Sequence, residues 1–343
     1  MSSILSTLNP IPMDPEFTKM PATTTKPGPA PAANKQQQQA LNASGDKANL
    51  VEFWRNPEAG NIYRHAEHLT SPVTPCLVDH AQLCQAVSAA KAPLKVMDMC
   101  CGTGVVSSYI QKMMRELPPH ERGKLRLTSA DSSEAQLGVV MEKIVREKWV
   151  GCEVRQADIM NIAFPSDHFD VVIVAMALML IADPYTSLQE CYRVTKPGGT
   201  VATSTWVTEG WIPDTRDAVA GLALPGQQPV AWPQSSIELT SLWGPGAWES
   251  PSFVKSMFKA AGFVDVEVDV VTKWVAFSSV DKWCTVFQAF MYGVMERFWT
   301  KAQRDGLKAQ LMPTLRKHME EKYQGRPFEV ERTVLLARGR KPE

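Results

Sequence analysis

The chain has 343 residues, 44% of them hydrophobic, and its 36 basic side chains balance 36 acidic ones. That content suits a globular core in one large domain or two, and zero net charge speaks against broad contact with a phosphate backbone. No apolar run reaches the ~18 residues of a membrane span; the longest, Val171–Ala182, has the length of a strand and a turn. The seven cysteines lack zinc-ligand spacing and the N-terminus lacks the pattern of a secretion signal, so reduced thiols in a cytoplasmic protein are expected.

Residues 1–48 hold seven prolines, a Thr-Thr-Thr run and a Gln-Gln-Gln-Gln run. They cannot bury enough apolar area to offset the entropy of ordering, and a disordered tail is expected there. From Asn49 to Ala90 a helical pattern sets in, carried by Phe53, Trp54, Tyr63, Leu69, Leu77 and Leu83. Pro57, Pro72 and Pro75 divide it into two or three helices.

Leu94–Gly104 reads Leu-Lys-Val-Met-Asp-Met-Cys-Cys-Gly-Thr-Gly. A short apolar run ends in a carboxylate, Asp98, and a small-residue turn leads into a helix over Val105–Leu117 that Pro118-Pro119 stops. This is a strand–turn–helix unit of the nucleotide-binding kind. The strand carries Asp98 to the carboxyl edge of a sheet, and Gly102 and Gly104 let the backbone approach a ligand. A dinucleotide fingerprint would have a third glycine where Ser107 stands. The adjacent Cys100 and Cys101 read either as a redox pair or as small residues filling a tight turn.

A second strand, Leu125–Ala130, ends in Asp131-Ser132-Ser133. A carboxylate at that place is suited to ribose hydroxyls. It lies 33 residues beyond Asp98 because a Pro-Pro-His-Glu-Arg-Gly-Lys loop intervenes. The alternative is that Asp131 caps the following helix, with Glu134 at its third position. Gln136–Lys148 is an amphipathic helix, Cys152–Arg155 a short third strand, and Phe169–Ala175 so apolar that it should be a central parallel strand. A helix over Tyr185–Val194 leads into a Lys196-Pro197-Gly198-Gly199 turn and a strand over Thr200–Trp206.

Residues 207–251 are rich in proline and glycine and show poor helical periodicity. A long irregular insertion after a central strand is more often a functional lid than a connector. Trp206, Trp211, Trp232, Trp243 and Trp248 lie in or beside it; two are expected to pack a satellite core and the rest to line a pocket for a flat molecule. Beyond it come a helix over Ser252–Ala261 stopped by Gly262, a strand over Val264–Phe277 and an amphipathic helix over Asp281–Thr300. A charged helical pair over 301–324, broken near Pro313, precedes a last strand over Phe328–Ala337, antiparallel to the one before.

This order of landmarks over roughly residues 50–210 resembles the class I S-adenosylmethionine-dependent methyltransferases. Leu94–Gly104 is similar to their hydrophobic-acid-x-Gly-x-Gly-x-Gly motif, with Cys100 where the first glycine usually stands. Gln156-Ala157-Asp158-Ile159-Met160 resembles the loop whose acid accepts from the adenine amino group, so Asp158 and Ile159 are the matching positions. Cys-Tyr-Arg-Val-Thr-Lys-Pro-Gly-Gly-Thr is close to the family's Arg-Val-Leu-Lys-Pro-Gly-Gly connection.

The resemblance implies an α/β fold, a Rossmann-like seven-stranded sheet with a helical N-terminal cap over 49–90. It further implies a cofactor-binding core over 91–206, an aromatic-rich acceptor insertion over 207–251, and C-terminal helices and last strands over 252–343. It implies S-adenosyl-L-methionine as cofactor, held by Asp98, Cys100, Gly102 and Gly104 from the first turn, Asp131 and Ser132 from the second, and Asp158 and Ile159. Ala175 and Met176 would lie beside the transferable methyl. Tyr63 and Arg64 would make lid contacts; Tyr63 reads equally as a packing residue with its hydroxyl at the rim. Met179, Trp206 and Trp211 would border the acceptor.

Relatives often place a histidine where Met179 stands, so the usual general base is missing. Tyr63, His65 and His68 in the cap are the candidates to replace it; His120 and His168 lie in loops and His318 in a charged helix. The C-terminal half looks most like fungal natural-product methyltransferases of the ubiquinone-biosynthesis-like group, including those that methylate thiols of sulfur-bridged diketopiperazines. A small-molecule acceptor is therefore expected, with no metal and no nucleic-acid or membrane partner. A thiol is preferred over a hydroxyl or amine because it needs least help from a base. The rival readings are a cofactor-binding regulator or scaffold without turnover, and a methyltransferase of macromolecules.

Overall fold

The computed structural model describes residues 59–241 and 244–343, with side chains from Arg64 onward. The expected tail over 1–48, the start of the cap, the Tyr63 side chain and Trp243 lie outside the described residues.

Five strands form a parallel sheet: β1 (Leu94–Met99), β2 (Leu125–Asp131), β3 (Cys152–Gln156), β4 (Phe169–Ala175) and β5 (Thr195–Glu209), with β1 and β4 the most apolar. Two long antiparallel strands, β6 (Val264–Phe277) and β7 (Phe328–Arg340), complete it in the order β3-β2-β1-β4-β5-β7-β6. The helices α4 (Val105–Glu116), α6 (Glu134–Glu147) and α7 (Pro184–Val194) cover the parallel strands. That cover explains why Val171, Val172, Ile173 and Val174 of β4 are all sealed from solvent. The chain departs from β1 in one direction and returns at β4 on its other side. Such a reversal opens a crevice at the carboxyl ends of the strands.

The cap consists of three helices, α1 (Ala59–Thr70), α2 (Thr74–His80) and α3 (Leu83–Ala89), with α5 (Pro119–Arg122) a single turn in the loop before β2. The cap buries Leu69, Val73, Leu77, Val78 and Leu83 against the sheet. Two ion pairs fasten α1 to α6 across the crevice, Lys143 to Glu67 at 2.8 Å and Arg64 to Glu142. The first has a buried lysine, so water and salt screen it less than a surface pair.

Three expectations give way. The Lys196–Gly199 stretch is a bulge inside β5 and not a turn before it. Pairing jumps from Phe169–Thr195 to Val171–Thr200, Gly198 takes φ +75°, and a Cβ on Gly199 would lie 2.8 Å from the Asp170 carbonyl oxygen. The insertion is only partly irregular: β5 runs on to Glu209, and α8 (Trp211–Val219) and α9 (Ser236–Ser241) follow. Finally, α12 (Lys301–Tyr323) runs straight through Pro313 as one helix. Leu307, Leu311, Leu315 and Met319, one every fourth residue, are all buried, while Pro313 faces solvent. A continuous apolar seam outweighs the single backbone hydrogen bond that proline removes.

The remaining helices are α10 (Pro251–Ala260) and α11 (Val280–Phe298). The latter buries Trp283, Phe287, Met291 and Val294 on the face directed at the core.

Candidate active site

Asp98 stands at the carboxyl end of β1 and is fully buried. Its Oδ2 accepts from the Ser107 backbone N–H at 2.9 Å and from the Ser107 hydroxyl at 2.6 Å. The same hydroxyl lies 2.7 Å from the Ser129 Oγ on β2. Its Oδ1 is buried without a hydrogen-bond partner among the described residues. Burial pushes the carboxyl up to about 7, against the pull of the Ser107 bonds. Ser107, which the sequence offers only as a missing glycine, is the group that orients this acid.

The turn after β1 is left-handed at Cys100 (φ +57°), Gly102 (φ +56°) and Gly104 (φ +80°). Glycine adopts that region freely, whereas Cys100 holds it at a cost of ~1–2 kcal/mol. Gly102 N–H donates to Asp131 Oδ2 at 2.9 Å, and Ser133 N–H donates to Asp131 Oδ1 at 2.9 Å. Asp131 thus ties the end of β2 to the glycine turn. The alternative that it caps α6 fails: Ser133 is the cap, its Oγ accepting from Gln136 N–H. Asp131 keeps acceptor capacity on both oxygens. Its carboxyl is raised by burial and pulled back by these backbone donors.

A cleft opens between this turn and the cap. Asp98, Cys100, Gly102 and Val105 form its floor, Thr70, Val73, Thr74 and Leu77 its roof, and Ala175, Met176 and Ser204 its far wall. Met176 is also left-handed (φ +53°), with its N–H held by the Ser204 carbonyl and hydroxyl. Asp158 sits on the loop after β3, where its Oδ1 accepts from Met160 N–H at 2.9 Å, and Ile159 is buried beside it.

Thr70 and Met176 line this cleft and also a second chamber behind it, bounded further by Ala66, Leu69, Leu180, Trp206, Phe290 and Arg332. Among the described residues its one charged lining residue is Arg332 of β7, 4% exposed, as is Glu209 of β5, whose Oε1 accepts from Arg332 Nε at 2.8 Å. Arg332 Nη1 donates to the Leu69 carbonyl at 2.7 Å, and Trp211 Nε1 donates to Glu209 Oε2 at 2.9 Å.

Of the residues expected at a site, Asp98, Cys100, Gly102, Ala175 and Met176 meet in the cleft, with Asp131 bonded to its turn, and Trp206 borders the chamber. Gly104 stands behind the floor as the first residue of the turn into α4. Ser132 follows β2, its carbonyl accepting from the Gln156 side chain.

Other placements correct the expectation. Met179 is sealed inside a single 3₁₀ turn, Leu178–Leu180, which turns it into the core and away from both cavities. Trp211 is buried against Phe287. Trp232 and Trp248 are buried as well, their N–H groups given to Thr215 and to the Pro245 carbonyl. Three of the four described tryptophans of that stretch therefore pack, and Trp206, also buried, borders the chamber. Arg64 engages Glu142 and not the cleft. His65 is exposed, while His68 Nε2 meets the Ala276 carbonyl at 2.7 Å with its ring edge-on to Phe277. His120 lies in α5, and His168 packs among Phe164 and Phe169.

The sequence reading passed over Ser107, Thr70, Thr74, Ser204, Glu209 and Arg332. For Arg332 a signal existed. It shares the buried phase of β7 with Phe328 and Val330, where a charge needs a partner. Among the described residues no cluster of three or more His, Cys, Asp or Glu is placed to hold a metal ion, and no helix is long and apolar enough to cross a membrane.

A family model described as "Methyltransferase domain" matches residues 97–203. The methyltransferase tpcH of Aspergillus fumigatus is 31% identical over 252 residues, which cover 73% of this chain and 86% of that protein. An acetylaranotin bis-thiomethyltransferase of Aspergillus terreus is 28% identical over 297 residues, 86% of this chain and 99% of that one. The methyltransferase ktnA of Aspergillus niger is 27% identical over 305 residues, 84% and 96% of the two chains. With the sheet order and the acid–glycine turn at its switch point, this likeness establishes that the chain is a methyltransferase of the class I, S-adenosylmethionine-dependent family.

Proposed function

We propose that the protein methylates a small molecule from S-adenosylmethionine, and that the accepting atom is a thiol sulfur. The residues of the cleft fit that cofactor. The unpartnered, buried Oδ1 of Asp98 suits an ammonium group, and the glycine turn admits close backbone approach. Asp131 has acceptor capacity to spare for ribose hydroxyls, and Asp158 with Ile159 would meet the adenine. When bound, the cofactor supplies a methyl group on a sulfonium, already activated for in-line displacement.

The chain's own residues then have three tasks. Asp98, the turn and Asp131 orient the donor, the cap residues Thr70, Val73, Thr74 and Leu77 exclude water, and the acceptor meets the donor beside Met176, at the mouth of the chamber. Holding the reacting atoms in line is worth ~7–11 kcal/mol of barrier.

The observation that carries the choice of acceptor is the chamber lining. Among the described residues it contains no imidazole and no carboxylate, only apolar and aromatic side chains, one threonine and one arginine. A hydroxyl needs a base at neutral pH, whereas a thiol is a few per cent ionised without one. The relative from A. terreus is named as a bis-thiomethyltransferase, which agrees with this choice.

Separate incubation with thiols, phenols and amines of similar shape, read by mass spectrometry, tests the proposal. Thiols are expected to turn over. Phenols or amines methylated under conditions that leave every thiol untouched would refute the choice.

A further inference from the structure

Arg332 is a buried cation that the cofactor cleft does not use. Its guanidinium is fixed by Glu209 on Nε and by the Leu69 carbonyl on Nη1, with the Trp206 ring 5.8 Å from Cζ. The donors of Nη2 have no protein partner among the described residues, are not sealed in the interior, and belong to a residue that lines the chamber. A buried arginine held on two sides, with the donors of its third nitrogen left over, can donate to an anion without rearranging.

We infer that Arg332 recognises the acceptor in its anionic form and lowers the pKa of the bound thiol, taking the place of a general base. The inference rests on the thiol reading above and deepens it. The thiol proton leaves to solvent, the thiolate pairs with Nη2, and its lone pair forms the new S–C bond. The donor sulfur keeps the electrons of the broken bond. An opposite charge within ~4–6 Å lowers such a pKa by about 1–3 units.

Among the described residues the charged surroundings of Arg332 are few. The strand register sets Glu209 of β5 and Lys273 of β6 directly opposite it on either side. From α1 come the Leu69 carbonyl and His68, whose ring is committed to Ala276; from α11 comes Phe290. Glu209 and Arg332 together carry no net charge, so an anion at Nη2 meets the positive end of this pair, with the carboxylate held on the Nε side.

The test uses the intact protein with S-adenosylhomocysteine and 4-nitrothiophenol or 4-nitrophenol, whose ionisation is read from absorbance. Arg332→Met with Glu209→Gln removes both charges together, so that no buried charge is stranded. In the wild type the bound pKa is expected at least one unit below the free value, and in the double variant at or above it. Glu209→Gln alone should move it further down, because the competing carboxylate is gone. Opposite shifts from the two variants cannot come from a merely structural role. Equal bound pKa values in all three proteins, or no binding by the wild type, would overturn the inference.

Turnover gives a second readout. The acid limb of the kcat profile should rise by at least one unit in the double variant, about a tenfold loss at neutral pH that alkali restores. A uniform loss at every pH with a lower Tm would also overturn it. Thiol turnover with an unshifted limb counts against Arg332 alone. Turnover of phenols but not thiols counts against the thiol reading, with the limb shift then read on the phenol.

Discussion

Ser107→Ala should weaken cofactor binding by a route that pH can undo. The variant deletes the 2.6 Å hydroxyl bond to Asp98 Oδ2 and leaves the backbone N–H bond in place. A hydrogen bond to a charged group is worth ~1.5–3 kcal/mol, or about one to two pKa units. Asp98, already held up to about 7 by burial, then ionises later. If its ionised form receives the cofactor's ammonium, binding falls with the ionised fraction. At about pH 7.5 that fraction drops from roughly three-quarters to between a quarter and a few per cent, a loss of about 3- to 25-fold. The gap widens below neutrality and closes above about pH 10, and the ligand's own ionisation cancels in the ratio of the two proteins. Calorimetric titration of S-adenosylhomocysteine across that pH range measures it. A ratio independent of pH would refute the reasoning even if Ser107→Ala bound weakly, because the serine would then act through packing alone.

Three further outcomes are expected. Asp98 binds its proton more tightly folded than unfolded, so it lowers apo-protein stability as pH rises from about 4 to about 7. Asp98→Asn should therefore raise Tm relative to wild type above pH 7, with the difference shrinking steadily toward pH 4, while abolishing measurable cofactor affinity; an unchanged Tm difference across pH would contradict this. Cys100→Gly relieves a left-handed cysteine by ~1–2 kcal/mol but adds ~0.4–1 kcal/mol of unfolded-state freedom. Denaturant unfolding should show no destabilisation and calorimetry no change in cofactor affinity, and a tenfold loss would show that the thiol itself meets the ligand. Lys143→Met cuts the buried tie between α6 and the cap. The cofactor KM should rise several-fold with kcat retained, and a fall in kcat at constant KM would mean the cap does not gate entry.

The sheet was legible because apolar residues dominate β1 and β4, and Phe169–Ala175 and Val264–Phe277 have the bounds the sequence suggests. The site was legible where one residue acts through its own backbone or position, as with Asp98, Gly102 and Met176. It was not legible where function is shared across distant segments. Nothing local marks Ser107 as the partner of Asp98, since the glycine motif makes that position look like a loss. The buried row of Glu209 and Arg332 joins strands 123 residues apart, with α1 supplying a carbonyl. The tryptophans misled for a related reason. Spaced without helical period, they suggest an irregular lid, yet each is anchored by a hydrogen bond or ring contact from a different element. At Pro313 a local rule was overruled by a seam of leucines that only the packed helix brings into register.

The central claim, methyl transfer to small-molecule sulfur, is tested most directly in one tube. The protein is incubated with S-adenosylmethionine carrying a carbon-13 methyl and equal amounts of a thiol, a phenol and an amine of matched shape. The carbon-13 spectrum of the product then reports which atom the methyl has joined. The account predicts a thioether signal that dominates the other two. A methyl ether or methylamine signal without a thioether would contradict it.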